Sequence, residues 1–301
     1  MTVPATSEPS SWTRRRVHEA VLAWYAVAGR DLPWRRADCS PWGVFVSEIM
    51  AQQTPIARIL APWAAWVTRW PTPTDLAGDP VAEAIKAWDR LGYPRRAVRL
   101  HAAARVMVER HAGAVPSDPD DLRALPGVGD YTAAAVSSFA FGNPLVVIDT
   151  NVRRVLARIA LGRGQAMPTL TAAERRLAAT WLPAEPETAN RWNVAAMELG
   201  ALVCTARAPQ CTICPARELC RWRAAGYPAY DGPVARPQGY AGTDRQLRGQ
   251  IMALVRSAGD QGVTPAQLAE VGEAERVARL AGQLCAEGLL ALSPTGYDLP
   301  R

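Results

Sequence analysis

Lysine is almost absent from this chain. Lys86 is the only one among 34 basic residues, so chemistry that needs an amine nucleophile has a single candidate. Histidine is nearly as scarce, with His18, His101 and His111 the whole supply. Histidine-based catalysis and histidine-rich zinc sites therefore have little material. No apolar run reaches the roughly 20 residues that a membrane-crossing helix needs. The opening "MTVPATSEPSSWTRRR" lacks the apolar stretch of a signal peptide. A cytoplasmic, nucleoid-associated protein with no membrane partner is expected. Strand-like alternation is scarce before about residue 285, and no internal repeat is visible.

What is present is helical and basic. The chain has 301 residues, room for two compact domains and a small third one. The net charge of +6 and a pI near 9.2 favour a polyanionic partner. The preference for arginine over lysine follows the Ala, Arg, Gly and Pro bias of a GC-rich genome. Apolar spacing predicts helices over 12–29, two helices over 43–70 broken near Thr54–Pro55, and further helices over 80–91, 95–112, 118–124, 130–141, 150–161, 171–182 and 187–202. Pro- and Gly-rich stretches such as "PTPTD", "LGYP" and "FGNP" read as the breaks between them. Residues 223–243 are rich in Pro, Gly and Tyr and read as a linker. Helices over 244–257, 264–270 and 273–287, followed by a short hairpin, make a winged-helix pattern. So small a module has a marginal core and is expected to lean on the body.

Four of the six cysteines crowd into "CTARAPQCTICPARELC", spaced Cys204-x6-Cys211-x2-Cys214-x5-Cys220. Four thiolates hold either tetrahedral zinc or an iron–sulfur cluster. Zinc sites usually pair two short CxxC knuckles, and only one is present. The wide outer gaps favour a cluster larger than one ion.

"LPGVGDYTAAAV" (125–136) carries a helix into Leu125-Pro126-Gly127-Val128-Gly129 and starts another at once. Two glycines beside a helix N-terminus suit a DNA phosphate, as in a helix-hairpin-helix. Arg153 and Arg154 are placed in sequence to add charge.

Two acids stand in apolar company, Glu48 in "VFVSEIMAQQT" and Asp149 in "LVVIDTNVRRV". Either one alone also fits a helix cap or a buried salt-bridge partner, and Asp149 is well placed as a cap. Together, near a DNA-binding hairpin, they suit an oxocarbenium-like bond cleavage. One neutral acid protonates the leaving group, and one carboxylate steadies the cationic sugar. The apolar neighbours of Glu48 favour its neutral form.

The ordered set "LPWR", "SEIMAQQT", "LGYPRRA", "LPGVGDYTA", "VIDTNVRRV", "MELGALVC" and the cysteine loop resembles the MutY-type adenine DNA glycosylases of the helix-hairpin-helix superfamily, which also contains endonuclease III. The match spans roughly residues 12–222. It implies an all-α, two-domain helix-hairpin-helix glycosylase fold, a six-helix barrel plus an iron–sulfur cluster domain, here with a small C-terminal winged-helix-like module. The expected division is 1–35 (packing with the cluster domain), 36–148 (barrel and hairpin), 149–222 (cluster domain), 223–243 (linker) and 244–301 (module). By resemblance Cys204, Cys211, Cys214 and Cys220 hold a 4Fe–4S cluster. Glu48 protonates N7 of a flipped-out adenine, Asp149 stabilises the oxocarbenium, and Tyr131 and Asn151 orient and steady that second step. Trp34, Arg35, Ala51 and Glu198 match positions lining the base pocket. Gln52, Gln53 and Thr54, Tyr93, and the hairpin residues Leu125, Gly127, Val128 and Gly129 match DNA-contacting positions, with Gln53 and Tyr93 as the wedges that open the stack. The implied partner is double-stranded DNA with an A:8-oxoguanine or A:G mispair, bound by a monomer.

Bifunctional relatives carry a lysine where Tyr131 stands, so the resemblance implies a monofunctional enzyme that leaves an abasic site. Two departures from the family are visible. Ala51 replaces the usual leucine, which loosens the adenine pocket. The short C-terminus replaces a larger domain that reads 8-oxoguanine, so its arginines (Arg245, Arg248, Arg256, Arg276, Arg279) serve either base reading or phosphate contact. The competing readings are a thymine- or uracil-removing mismatch glycosylase and a non-catalytic iron–sulfur DNA-binding regulator. The presence of Glu48, Tyr131 and Asp149 together weighs against the last.

Overall fold

The computed structural model describes residues 10–233 and 239–301. Part of the linker expected over 223–243, and the first nine residues of the segment 1–35, lie outside them. The described chain is helical except for one two-stranded hairpin. No helix among the described residues is long and apolar enough to cross a membrane.

The helices fall where the apolar spacing puts them: α1 (Ser11–Ala28), α2 (Pro41–Ala51), α3 (Ile56–Arg69), α4 (Pro73–Gly78), α5 (Val81–Trp88), α6 (Arg95–Arg110), α7 (Pro119–Ala124), α8 (Asp130–Phe141), α9 (Thr150–Leu161), α10 (Ala172–Trp181), α11 (Pro186–Leu202), α12 (Arg221–Ala224), α13 (Asp244–Ala258), α14 (Pro265–Ala269) and α15 (Ala274–Ala286). The exceptions are α12, which runs into the start of the segment read as a linker, and α4, in a stretch read as a break. Pro73 there sits at the first helical position, where a missing N–H costs nothing. Thr72 and Asp75 cap each other's backbone N–H groups in a capping box. The proline marks a start, not a stop.

Two compact units divide the chain: residues 38–133 with 237–301, and residues 1–37 with 134–236. The first holds α2 to α7, the opening turn of α8 and the C-terminal module. Its α2 is apolar nearly all round, as a helix buried on every side must be, with Val44, Phe45, Val46, Ile49 and Met50 inside. Trp66, Trp70 and Trp88 of the same unit are wholly buried and pack edge to face, Trp66 against both of the others. The module comprises α13, α14, α15 and the antiparallel strands β1 (Ala291–Ser293) and β2 (Gly296–Asp298), with a bridge from Val263 to Tyr297. Its core of Ile251, Val255, Leu280, Leu284 and Leu289 also takes in Ile85 of α5. Arg256 pairs with Asp89, and Arg248 and Arg95 both reach Glu287. The module thus adds apolar surface from α5 to the marginal core that about 60 residues provide.

The second unit holds α1, a 3-10 turn at Pro33–Arg35, the later turns of α8, and α9 to α12. Val17 and Val21 of α1 pack with Val155 and Leu156 of α9 and Trp192 and Leu199 of α11. Gly200 allows α11 to lie against α9, because a Cβ there would sit 2.6 Å from that of Asn151. His18 and His101 are spent on structure, each bonded to a carbonyl, Trp181 O at 2.9 Å and Asp79 O at 2.8 Å.

Candidate active site

Glu48 lies on buried α2 and is 8% exposed. The helix ends at Ala51, half-buried, and the chain turns through Gln52, Gln53 and Thr54. Gln53 is exposed and has φ +56°; Tyr93, at the head of α6, is 39% exposed and has φ +48°. Left-handed backbone costs a non-glycine residue on the order of 1 kcal/mol, and such strain persists only where the surroundings enforce it. The enforcer is Arg96. One guanidinium nitrogen donates to the carbonyls of Ile49, Met50 and Gln52 at 3.2, 2.9 and 2.5 Å. The other donates to Leu91 O, Gly92 O and Thr54 Oγ1 at 3.3, 2.9 and 2.9 Å. One buried side chain therefore holds both turns, and burial lowers its pKa to about 10. Thr54, matched above to a DNA contact, is 7% exposed and serves this clasp with its hydroxyl. Sequence reading passed over Arg96, although it stands on the same stripe of α6 as buried Leu100, Ala103 and Met107. An arginine on an apolar stripe is a signal in itself.

The hairpin joins α7 to α8. Leu125 is buried, Val128 half-buried and Gly129 exposed. Gly127 has φ +82°, and a Cβ there would come 2.9 Å from Cβ of Arg99, so glycine is required twice over. The N–H of Val128 returns to Leu125 O at 3.2 Å, which leaves Gly129 and Asp130 exposed at the head of α8. Gln52 donates to Gly127 O at 3.4 Å and Thr132 Oγ1 at 3.2 Å, tying the end of α2 to the hairpin. Tyr131 occupies the second position of α8, half-buried.

In the other unit, Asp149 is the N-cap of α9. Its Oδ1 accepts from the N–H of Val152 at 2.7 Å and its Oδ2 from Nδ2 of Asn151 at 2.6 Å. Burial raises the Asp149 pKa, against the pull of these donors and of Arg154. Arg154 in turn donates to Asn151 Oδ1 at 2.6 Å, Gly200 O at 2.7 Å and Cys204 O at 2.7 Å. Arg153 faces Glu174 at 2.9 Å. Both arginines are thus committed inside this unit, not to a phosphate at the hairpin as their sequence position suggested.

Glu198 of α11 has no exposed side-chain surface, and its oxygens meet Arg30 at 2.5 and 3.0 Å and Arg35 at 2.9 Å. Burial alone would raise its pKa, but the bonds from Arg30 and the charge of Arg35 hold it below the ordinary value. Nη1 of Arg35 is buried with no hydrogen-bond partner among the described residues. Trp34, beside it, is 8% exposed. Arg30, which holds Glu198 in place, was not singled out by the sequence.

Cys204, Cys211, Cys214 and Cys220 are free thiols lining one cavity with Arg158, Leu199, Val203, Pro209 and Trp222. Burial, with the neighbouring cysteines, pushes the Cys214 thiol up to about 12, against a bond from the Ala216 N–H. Four thiolates cannot ionise together there without a cation among them. Four thiols lining one cavity are a donor set that suits a thiolate-bound metal group. Arg158, 2% exposed, pins the loop: it donates to Gly164 O at 2.8 Å, Thr205 O at 2.7 Å and Cys204 Sγ at 3.3 Å, and lies 4.6 Å over the ring of Trp222.

Residues 46–182 match the HhH-GPD superfamily of base excision DNA repair proteins. The chain is 50% identical over 252 residues to the adenine DNA glycosylase of Mycobacterium tuberculosis (strain ATCC 25618 / H37Rv), covering 83% of this chain and 82% of that protein. It is 42% identical over 217 residues to the adenine DNA glycosylase of Homo sapiens, covering 68% of this chain and 39% of that one. The solved structure of a thermostable thymine-DNA glycosylase superposes with a TM-score of 0.62 at 26% identity, covering 71% of this chain and 98% of that one. With the hairpin, the capped aspartate and the four-cysteine loop in place, the chain belongs to the helix-hairpin-helix superfamily of base-excision DNA repair glycosylases, on its adenine DNA glycosylase (MutY-type) branch.

Proposed function

We propose that this protein binds double-stranded DNA as a monomer and removes adenine mispaired with 8-oxoguanine or guanine, hydrolysing the N-glycosidic bond without cutting the strand. The observation that carries the reading is the pair of sheltered carboxylic side chains, Glu48 on α2 and Asp149 capping α9. Glu48 gives its proton to N7 of the flipped adenine. The bond from C1′ to N9 then breaks, and its electron pair leaves with the base. The Asp149 carboxylate, held by Val152 and Asn151, faces the positive charge that develops at the sugar. Water adds to C1′ and loses its proton, giving the abasic site. Tyr131 occupies the position of the lyase lysine, and Lys86 is engaged with Glu83 at 2.9 Å on α5. Strand cleavage through a Schiff base therefore lacks its amine.

Trp34, Arg35 and Ala51 line the base pocket in this reading, with Glu198 behind Arg35. Gln53 and Tyr93 enter the stack, and Leu125 to Gly129 take a phosphate. Residues 36–148 act as the barrel, 1–35 with 149–222 as the cluster domain, and 244–301 as an added module after the linker 223–243. Cys204, Cys211, Cys214 and Cys220 hold a 4Fe–4S cluster, which cross-links the loop when bound and takes no part in bond cleavage.

Likeness to the thymine-DNA glycosylase supports a second reading, removal of thymine or uracil from mismatches. Glycosylase assays on duplexes carrying A:8-oxoguanine, A:G, T:G and U:G separate the two. Excision confined to the adenine duplexes is the expected result. Thymine or uracil release without adenine release would replace this reading with the second.

A further inference from the structure

The arginines of the C-terminal module are mostly occupied. Arg248 pairs with Glu287, and Arg256 with Asp89 at 3.6 Å. Arg276 and Arg279 share Asp244 at 2.6 and 2.9 Å. Arg245 is placed differently. Its guanidinium carbon lies 4.6 Å from the ring centre of Tyr93 and 5.7 Å from that of Tyr240. Arg96 approaches the Tyr93 ring at 5.6 Å. The position of Arg245 is not incidental, because α13 is anchored to the body by Arg256–Asp89, Arg248–Glu287 and the core shared with Ile85. Tyr93 is the exposed aromatic held at positive φ by the Arg96 clasp.

We infer that Arg245 is a positioning residue for Tyr93: the module acts on DNA through the wedge, by holding its ring oriented for insertion, not through a row of phosphate-binding arginines. The inference rests on the proposed role of Tyr93 in opening the duplex. An exposed tyrosine on a turn samples several rotamers, and a guanidinium against its face narrows that choice before DNA arrives.

A double-mutant cycle on the full chain tests this. The duplex carries a 2′-fluorinated deoxyadenosine, which resists cleavage, opposite 8-oxoguanine, with fluorescent 2-aminopurine next to the 8-oxoguanine to report unstacking. Arg245→Ala is expected to weaken binding about 2- to 5-fold, the scale of an exposed cation–π contact, and to reduce the fluorescence gain. Arg245→Lys should recover most of both, with the melting temperature unchanged. In a Tyr93→Leu background Arg245→Ala should add nothing. Equal losses in both backgrounds would overturn the inference in favour of a plain phosphate contact. So would an unchanged signal in Arg245→Ala or in Tyr93→Leu. Adenine release by the wild type, measured on a cleavable duplex, tests the proposed activity separately, since the fluorescence needs no catalysis.

Discussion

The side-chain amide of Asn151 donates to Oδ2 of Asp149 at 2.6 Å, while the N–H of Val152 occupies Oδ1. The helix cap and the carboxylate proposed to act on the sugar are thus the same group. The bonds that satisfy the end of α9 also orient the charge proposed to face the sugar. Both donors favour the anion, against burial that favours the acid.

The pH dependence of excision follows from this balance. Asp149 must be ionised, and its raised pKa puts the acid limb of the single-turnover rate above the ordinary aspartate range. Asn151→Leu removes one donor to the anion, so the proton is held more tightly. The limb should move to higher pH, with a lower plateau. A pH–rate profile unchanged by Asn151→Leu would separate Asp149 from the chemistry.

Glu48→Gln keeps the shape of the side chain and removes its proton. A positioned general acid contributes roughly 10²–10⁴-fold. Single-turnover adenine release should fall by that order, while affinity for the mismatched duplex is kept. Excision within a few-fold of wild type would reject Glu48 as the acid. Asp149→Asn should likewise bind and fail to cleave, and asparagine can still cap α9.

Tyr131 and the paired Lys86 lead to intact product strands until alkali or heat cleaves them. Borohydride should trap no covalent adduct with the wild type. Trapping that vanished in Lys86→Ala would show that the lone lysine reaches the sugar.

Iron tests the cysteine loop without reference to activity. Anaerobically purified protein should carry about four irons and absorb broadly near 400 nm. Cys39→Ser and Cys285→Ser should keep that content, because both thiols belong to the other compact unit. Stoichiometric zinc in place of iron would exclude the cluster.

Stability should fall in acid partly through Glu198. Its pKa is held below the ordinary 4.5 in the folded chain. The stabilisation it gives is complete above that value and is lost as the pH falls through the lowered one. Glu198→Ala strands Arg30 and Arg35 and should cost about 3 kcal/mol near neutral pH. Thermal melts of the two proteins should therefore differ most near neutral pH and converge in strong acid.

The sequence by itself determined the helices, the hairpin and the cysteine loop, because each is written in local pattern. Apolar spacing placed α8 and α9 at their observed bounds, the Gly127 turn needs a residue without a Cβ, and four thiols within 17 positions leave few other readings. Asp149 could be recognised as a cap from its place before a helix. Helix α4 was missed because a proline can open a helix as well as close one, and only the capping box tells which. Tertiary structure alone decided what the arginines do. Arg96, Arg154 and Arg158 donate chiefly to backbone carbonyls that stand, in most cases, 44 to 50 residues away. A carbonyl is carried by every residue, so nothing in the chain marks which ones a buried guanidinium will find. The same holds for Arg245 and Tyr93, whose meeting depends on the core shared between Ile85 and the module. Long-range packing brought that pair together, and no local pattern encodes it.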